Sequence, residues 1–161
     1  MHKKTVYIIY LVFMLLISCS AEDKQIIGTE IYYIDSEMLR LVSVDFDESE
    51  STVQKQAEAV INGLIEGADY NVKIRRMIPK ISDCLSVRVK ENKAYVDISG
   101  DSIEHFPDGR VAENLIVYQI VNSLTSIDGI DAVRFTIDGM VQKKFKGFID
   151  MRETFIPDYY I

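Results

Sequence analysis

Two adjacent stretches of alternating residues constrain the fold of this chain more than any other feature. Residues 85–90 and 94–99 each alternate apolar and polar side chains, and Glu91-Asn92 lies between them. A two-residue turn at Glu91-Asn92 would bring the two stretches together as an antiparallel hairpin. Directly opposed residues share a sheet face, and this register pairs the apolar residues with one another: Leu85 with Ile98, Val87 with Val96, and Val89 with Ala94.

The remaining periodic segments predict two helices and four further strands. Residues 31–34, 39–46, 133–137 and 145–149 read as extended segments. A capping box at Ser51-Thr52-Val53-Gln54 introduces a helix that ends near Gly67, and Pro107-Asp108-Gly109 introduces a second helix over residues 110–127. The resulting order, β-β-α-β-β-α-β-β, predicts an α+β fold in which two helices lie on one face of a largely antiparallel sheet.

The N-terminus has the layout of a bacterial lipoprotein signal peptide. Lys3 and Lys4 precede an apolar run from Val6 to Ile17, about 18 Å long as a helix and too short for a bilayer core of about 30 Å. Leu16-Ile17-Ser18-Cys19 then resembles a lipobox. We therefore predict a signal peptide at residues 1–18, lipidation of Cys19, a tether at residues 19–28 and a single domain at residues 29–161.

The predicted lipid places the domain on the outer face of the cell membrane. Several acyl chains on one residue hold a protein firmly. Residues 20–28 reach about 30 Å when extended, so the domain would work close to the membrane surface.

The charge of the chain argues against polyanionic partners. The net charge is −7, and it becomes −9 when Lys3 and Lys4 leave with the signal peptide, because 16 basic residues then face 25 acidic ones. An acidic domain is poorly suited to phosphate backbones, so we predict no nucleic acid partner. With Cys19 acylated, Cys84 has no disulfide partner, and we interpret it as a small buried hydrophobe.

The sequence offers no constellation typical of an enzyme. His105 is the single histidine after residue 18, and no Gly-rich phosphate loop is present. Glu104, His105 and Asp108 follow one another on one predicted loop, where neighbours rarely converge on a substrate; we interpret this loop as solvated, with Asp108 capping the second helix. We predict no catalytic residue, metal or cofactor.

Two further groups of polar residues have structural interpretations. The acidic run at residues 45–50 lacks the Gly and Glu spacing of an EF-hand, so we interpret it as solvated charge. Four polar residues of the second helix are predicted to hydrogen-bond neighbouring backbone: Gln119, Asn122, Ser123 and Thr125.

Several segments, in order, resemble the GerMN domain of sporulation and spore germination proteins. The resemblance covers residues 29–156. Ala68 stands where the family usually has Pro, and Ser123 where it usually has Thr. The segments that carry the resemblance are Ile31-Tyr32-Tyr33-Ile34-Asp35, Leu64-Ile65-Glu66-Gly67, Ala94-Tyr95-Val96-Asp97-Ile98-Ser99, Gln119-Ile120-Val121-Asn122-Ser123-Leu124-Thr125, residues 133–139 and Gly147-Phe148-Ile149-Asp150.

The resemblance implies an assembly module of the cell envelope. GerMN proteins are typically envelope lipoproteins, similar in fold to the ring-building motifs of secretion systems, and they also occur in bacteria that do not sporulate. It therefore implies protein partners in an envelope complex, with self-association into rings as one form of assembly.

Together, these observations lead to one hypothesis and its rivals. The hypothesis is a non-catalytic, membrane-tethered domain for protein–protein assembly in the envelope, in sporulation or spore germination. The alternative is an envelope lipoprotein that binds a peptide or glycan in a pocket of several hundred Å³, with four tyrosines as stacking groups; an enzyme of unknown type comes third. The tyrosines are Tyr32, Tyr33, Tyr159 and Tyr160.

Overall fold

The computed structural model describes residues 28–47, 52–68, 73–81 and 83–161. The predicted signal peptide, Cys19 and nearly all of the tether lie outside these residues. Within them, the helices and strands follow the order β-β-α-β-β-α-β, with a 3₁₀ helix at Gly100–His105 before the second α-helix. They are β1 (Glu30–Ile34), β2 (Leu41–Asp45), α1 (Val53–Glu66), β3 (Leu85–Lys90), β4 (Lys93–Ile98), α2 (Arg110–Thr125) and β5 (Ala132–Ile137).

The predicted hairpin is confirmed in its register. β3 and β4 are antiparallel, and Val87 lies opposite Val96 as the alternation requires. Glu91 and Asn92 adopt φ values of 50° and 57°. Positive φ at both central residues is the signature of the type I′ turn, whose twist matches that of the flanking strands.

The α+β class is confirmed, but the strands form two sheets rather than one. β1 and β2 form an antiparallel pair, and the second sheet has the order β3-β4-β5. β5 pairs with β4 in parallel, contrary to the expectation of a largely antiparallel arrangement in this part. The physical reason is the connection: α2 returns the chain to the start of β4, and parallel neighbours need such a crossover.

The last predicted strand, at residues 145–149, is not formed. This segment is a tight loop with one isolated bridge between Lys144 and Asp150, and the N–H of Phe145 donates to the Ile149 carbonyl at 3.1 Å. Farther on, Phe155 exchanges two backbone hydrogen bonds of 2.8 Å with Val133 of β5. The chain therefore meets the sheet ten residues later than the pattern indicated, and only at one point.

One core joins both helices and both sheets. α1 buries one apolar stripe, formed by Ala57, Val60, Ile61 and Leu64. α2 contacts β1, β5 and α1, and it is buried around much of its circumference, as expected for a helix packed on more than one neighbour. No helix among the described residues is long and apolar enough to cross a membrane.

The capping box predicted for α1 is wrong in its assignment. The N-cap is Thr52, whose hydroxyl accepts a hydrogen bond from the Lys55 N–H at 3.3 Å. Gln54 does not fold back on the helix end; its side chain reaches β3 instead. At the other end, Gly67 terminates the helix with φ 77°, as predicted.

Candidate functional site

Glu104 and His105 lie on the 3₁₀ helix Gly100–His105, where a loop was predicted. The segment before α2 does not bring them together with Asp108 as an acid–base group. Glu104 and His105 are exposed, and no hydrogen bond or ion pair joins them to Asp108 in the described part of the chain. Asp108 does not cap α2, contrary to the prediction: the N-cap is Gly109, without a side-chain hydrogen bond. The Asp108 carboxylate instead pairs with Lys146 Nζ at 2.8 Å.

Within the described residues, Cys84 and the acidic side chains form no metal-binding cluster. Cys84 is fully buried directly before β3, which confirms its interpretation as a small hydrophobe, and burial raises the pKa of its thiol. Among the described residues no three His, Cys, Asp or Glu side chains lie close enough to hold a metal ion. Asp45 and Asp47 of the acidic run belong to this described set; residues 48–50 lie outside it.

The polar residues of α2 confirm the predicted backbone hydrogen bonds at two positions. Ser123 and Thr125 donate to carbonyls one turn earlier, at 2.7 and 2.8 Å. Asn122 binds the backbone of Asp158 instead, donating at 2.7 Å and accepting at 3.0 Å. Gln119 is 3% exposed, and its Oε1 has no hydrogen-bond partner among the described residues.

Serine hydroxyls of α2 and the segment after α1 close the outer edge of β1. Ser123 Oγ accepts from the Tyr32 N–H at 2.8 Å, and Ser126 Oγ accepts from the Glu30 N–H at 3.0 Å. Farther along, the Arg75 N–H donates to the Ile34 carbonyl at 2.8 Å. These groups take the place of a neighbouring strand.

A side-chain amide pairs with two outward backbone groups of β3. Gln54 Nε2 donates to the Val87 carbonyl at 3.0 Å, and Gln54 Oε1 accepts from the Val89 N–H at 2.7 Å. An amide side chain has one donor face and one acceptor face, as a peptide group does. Gln54 thus reproduces the hydrogen bonds of a strand neighbour.

The outer edge of β2 is open. The Leu41 N–H points outward and donates to the Ile161 carbonyl at 3.2 Å. Because N–H directions alternate along a strand, those of Ser43 and Asp45 also point outward. Both residues are exposed, and within the described part of the chain their backbone groups have no further partner.

The four tyrosines proposed as a ligand-stacking group do not converge. Tyr32 and Tyr159 lie together with ring centroids 5.8 Å apart, whereas Tyr160 is fully exposed. Tyr33 is buried and lines a groove of about 520 Å³ between the β1–β2 sheet and α1. The groove has the size expected for the ligand-binding alternative, but one tyrosine of the four reaches it.

Sequence reasoning missed a buried carboxylate on α2. Glu113 is fully buried; its Oε2 accepts from the N–H groups of Phe148 and Ile149 at 3.0 and 2.9 Å, and its Oε1 has no partner. Its position in the sequence could have indicated this burial. Glu113 lies three residues before the buried Ile116, so the two share a helix face. A charge on a buried stripe implies a specific partner.

Comparison with known proteins agrees with this architecture. The first GerMN domain of the sporulation protein GerM from Bacillus subtilis superposes with a TM-score of 0.58 at 22% identity, covering 76% of this chain and 90% of that one. A candidate lipoprotein from Clostridium perfringens gives 0.59 at 18% identity, covering 81% and 89%. No curated protein matches the chain.

The sequence itself matches a family over most of the described domain. Residues 30–143 fit the family described as Germane, sporulation and spore germination. This range runs from the first residue of β1 to beyond the end of β5. The chain therefore belongs to the Germane family of sporulation and spore germination domains.

Proposed function

We propose that this protein is a non-catalytic assembly domain, held on the outer face of the cell membrane by a lipid on Cys19, that joins a protein complex of the envelope in sporulation or germination. The observation that carries the proposal is the open edge of β2. Ser43 and Asp45 offer outward N–H and C=O groups in an exposed position. An exposed edge of this kind pairs with an extended segment of another protein.

The shortness of the open edge explains why a tether matters. Two outward residues provide two donors and two acceptors, and a net hydrogen bond contributes only about 0.5–1.5 kcal/mol. Such an edge binds weakly in free solution. Confinement of both partners to one membrane raises their effective concentration, so weak contacts suffice for a stable complex.

The anchor is tested by metabolic labelling. We expect the full chain to incorporate labelled palmitate and Cys19→Ala to lose the label, because the acyl chains are attached to that sulfur. Cys84→Ala is the matched control and should keep the label, since Cys84 is buried in the core. Label that persists in Cys19→Ala would refute the anchor.

The edge is tested with two variants at one position. Ser43→Pro removes the outward N–H while leaving the inner ladder to β1 in place, and proline is tolerated on edge strands. Ser43→Ala removes only the hydroxyl and serves as the control. We expect Ser43→Pro to lose co-purification of its partner from membranes during sporulation, and Ser43→Ala to retain it. Equal recovery in both, with Ser43→Pro folded, would contradict the role of this edge.

The non-catalytic part of the proposal has its own test. The triple variant Glu104→Ala, His105→Ala and Asp108→Ala should complement a deletion strain, because the loop is exposed and holds no assembled acid–base group. The variant also loses the Asp108–Lys146 ion pair, so its melting temperature must be measured in parallel. Lost function with unchanged folding and partner binding would favour an enzyme.

A further inference from the structure

A small, partly open pocket lies where α1 ends, beside the groove. Its volume is about 130 Å³. It shares Tyr33, Gly67 and Ala68 with the groove, so the two adjoin. Its described lining also includes Gln119 from α2 and the consecutive residues Arg75 and Arg76.

The wall from α2 presents a hydrogen-bond acceptor without a donor. Gln119 is 3% exposed, and its Oε1 is buried with no partner. Buried polar atoms in folded proteins are nearly always paired, since leaving one unpaired destabilises the fold. Tyr33 adds a second acceptor: its hydroxyl donates to the Gly63 carbonyl at 3.3 Å and keeps its own lone pairs. The inner wall therefore calls for an O–H or N–H group.

The outer wall carries positive charge that the fold uses only in part. Arg76 is committed to the end of α1, donating to the carbonyls of Ile65 at 2.7 Å and Glu66 at 2.6 Å. Arg75 is exposed, and its guanidinium has no hydrogen bond or ion pair within the described part of the chain. Arg75 is one of the residues that line the pocket, and a guanidinium suits a carboxylate, which it can bind through two parallel hydrogen bonds.

We propose that this pocket binds a small carboxylate that carries a hydrogen-bond donor on the neighbouring carbon, the shared chemistry of α-hydroxy and α-amino acids. The donor binds Gln119 Oε1 and the carboxylate binds Arg75. Glycolate and glycine are the smallest members of this class and serve as its probes. This site is independent of the β2 edge, so it stands or falls separately from the assembly role.

The test is titration of the folded domain with three probes, followed by amide NMR shifts. Glycolate and glycine represent the two sources of the same chemistry, and acetate retains the carboxylate but lacks the donor. We expect saturable shifts at residues 74–78 and 119 with glycolate or glycine, and binding of acetate at least about tenfold weaker, the effect of one good hydrogen bond. The stronger of the two former probes identifies the donor as hydroxyl or ammonium.

Three variants assign the contacts. Gln119→Leu should weaken binding of the preferred probe by about tenfold without lowering the melting temperature, because an unpaired buried acceptor is replaced by apolar atoms of similar shape. Gln119→Met provides a second test if the leucine variant folds poorly. Arg75→Gln should also weaken binding, whereas Arg88→Gln, at an exposed site on β3, should bind as the unaltered protein does.

Three results would overturn the proposal. The first is the absence of saturable binding of either glycolate or glycine, which would mean that the pocket holds water alone. The second is acetate binding as tightly as the other probes, which would reduce the site to a surface cation. The third is unchanged binding by Gln119→Leu or Gln119→Met, which would place the ligand elsewhere.

Discussion

The two sheets of this domain treat their edges differently. On each edge of the three-stranded sheet, outward backbone groups are paired within the chain, by the Gln54 amide on β3 and by the backbone of Phe155 on β5. The two-stranded sheet is closed on β1 by α2 and by the segment at residues 73–75, but β2 keeps exposed outward groups at Ser43 and Asp45.

The difference shows that closing an edge does not need another strand. Hydroxyls and a side-chain amide supply the same donors and acceptors as a backbone neighbour. It also shows where the domain is left open. A two-stranded sheet is only marginally stable by itself, so the β1–β2 pair depends on the helices behind it and offers its free side to a partner.

The largest expected effect is the loss of folding stability when an Asp is placed inside the three-stranded sheet rather than the two-stranded one. Val96→Asp should unfold the domain or destabilise it by about 3–5 kcal/mol, because Val96 is fully buried at the centre of β4 and the new carboxylate would lack a partner. Val44→Asp, on the partly exposed β2, should cost about 1 kcal/mol. Urea unfolding measures both. Similar losses would mean that the two sheets are equally buried.

An intermediate effect is expected from opening a closed edge. Gln54→Leu leaves the Val87 carbonyl and the Val89 N–H unpaired, and should cost about 1–2 kcal/mol. Gln54→Glu keeps the acceptor but loses the donor, and should lie in between. Asn62→Ala, at an exposed position of α1, serves as the control and should stay within about 0.5 kcal/mol.

Gln54→Leu should also give the three-stranded sheet an open edge, as the two-stranded sheet has at β2. Once Gln54→Leu exposes the β3 edge, we expect association that depends on protein concentration, because unpaired edges invite pairing between molecules. Light scattering of Gln54→Leu against Asn62→Ala measures it. A Gln54→Leu variant that remains monomeric at every concentration would show that other groups still cover β3.

The smallest expected effect is a loss of folding stability at alkaline pH, to which two tyrosines of β1 contribute. Burial raises the pKa of Tyr32 and of Tyr33, and Glu30 adds to the shift at Tyr32. The folded protein therefore retains phenolic protons that the unfolded chain releases near pH 10. This contribution to stability is complete below about pH 10 and is lost as the pH rises above it.

Two phenylalanine variants isolate that contribution. Tyr33→Phe should lose less stability between about pH 9 and 11 than the unaltered protein, because one of the titrating groups is gone. Tyr95→Phe changes an exposed tyrosine of the three-stranded sheet and serves as the matched control. Melting temperatures of the three proteins across that pH range measure this difference. A parallel fall in all three would rule out Tyr33 as a source of the alkaline loss of stability.

Local patterns predicted much of the fold. The register of β3 and β4, the spans of both helices and the end of α1 at Gly67 followed from alternation, helical spacing and a terminating glycine. The candidate sites were less predictable. Glu113, Gln54 and Gln119 could be seen as polar residues on helices, but the sequence did not indicate which backbone group or pocket each one faces.

What the sequence determined by itself are features that depend on residues within one or two turns of each other. Periodicity and turn geometry act over short distances, so the hairpin and the helices can be recognised without knowing the rest of the molecule. The tertiary structure alone decided the split into two sheets, the parallel pairing of β5 with β4 and the closure of each edge. Those depend on contacts between distant positions, such as Gln54 with Val87, 33 residues apart, and Ser123 with Tyr32, 91 residues apart. No local pattern encodes which distant group will satisfy a given N–H or carbonyl, because the whole chain must pack before that choice is made.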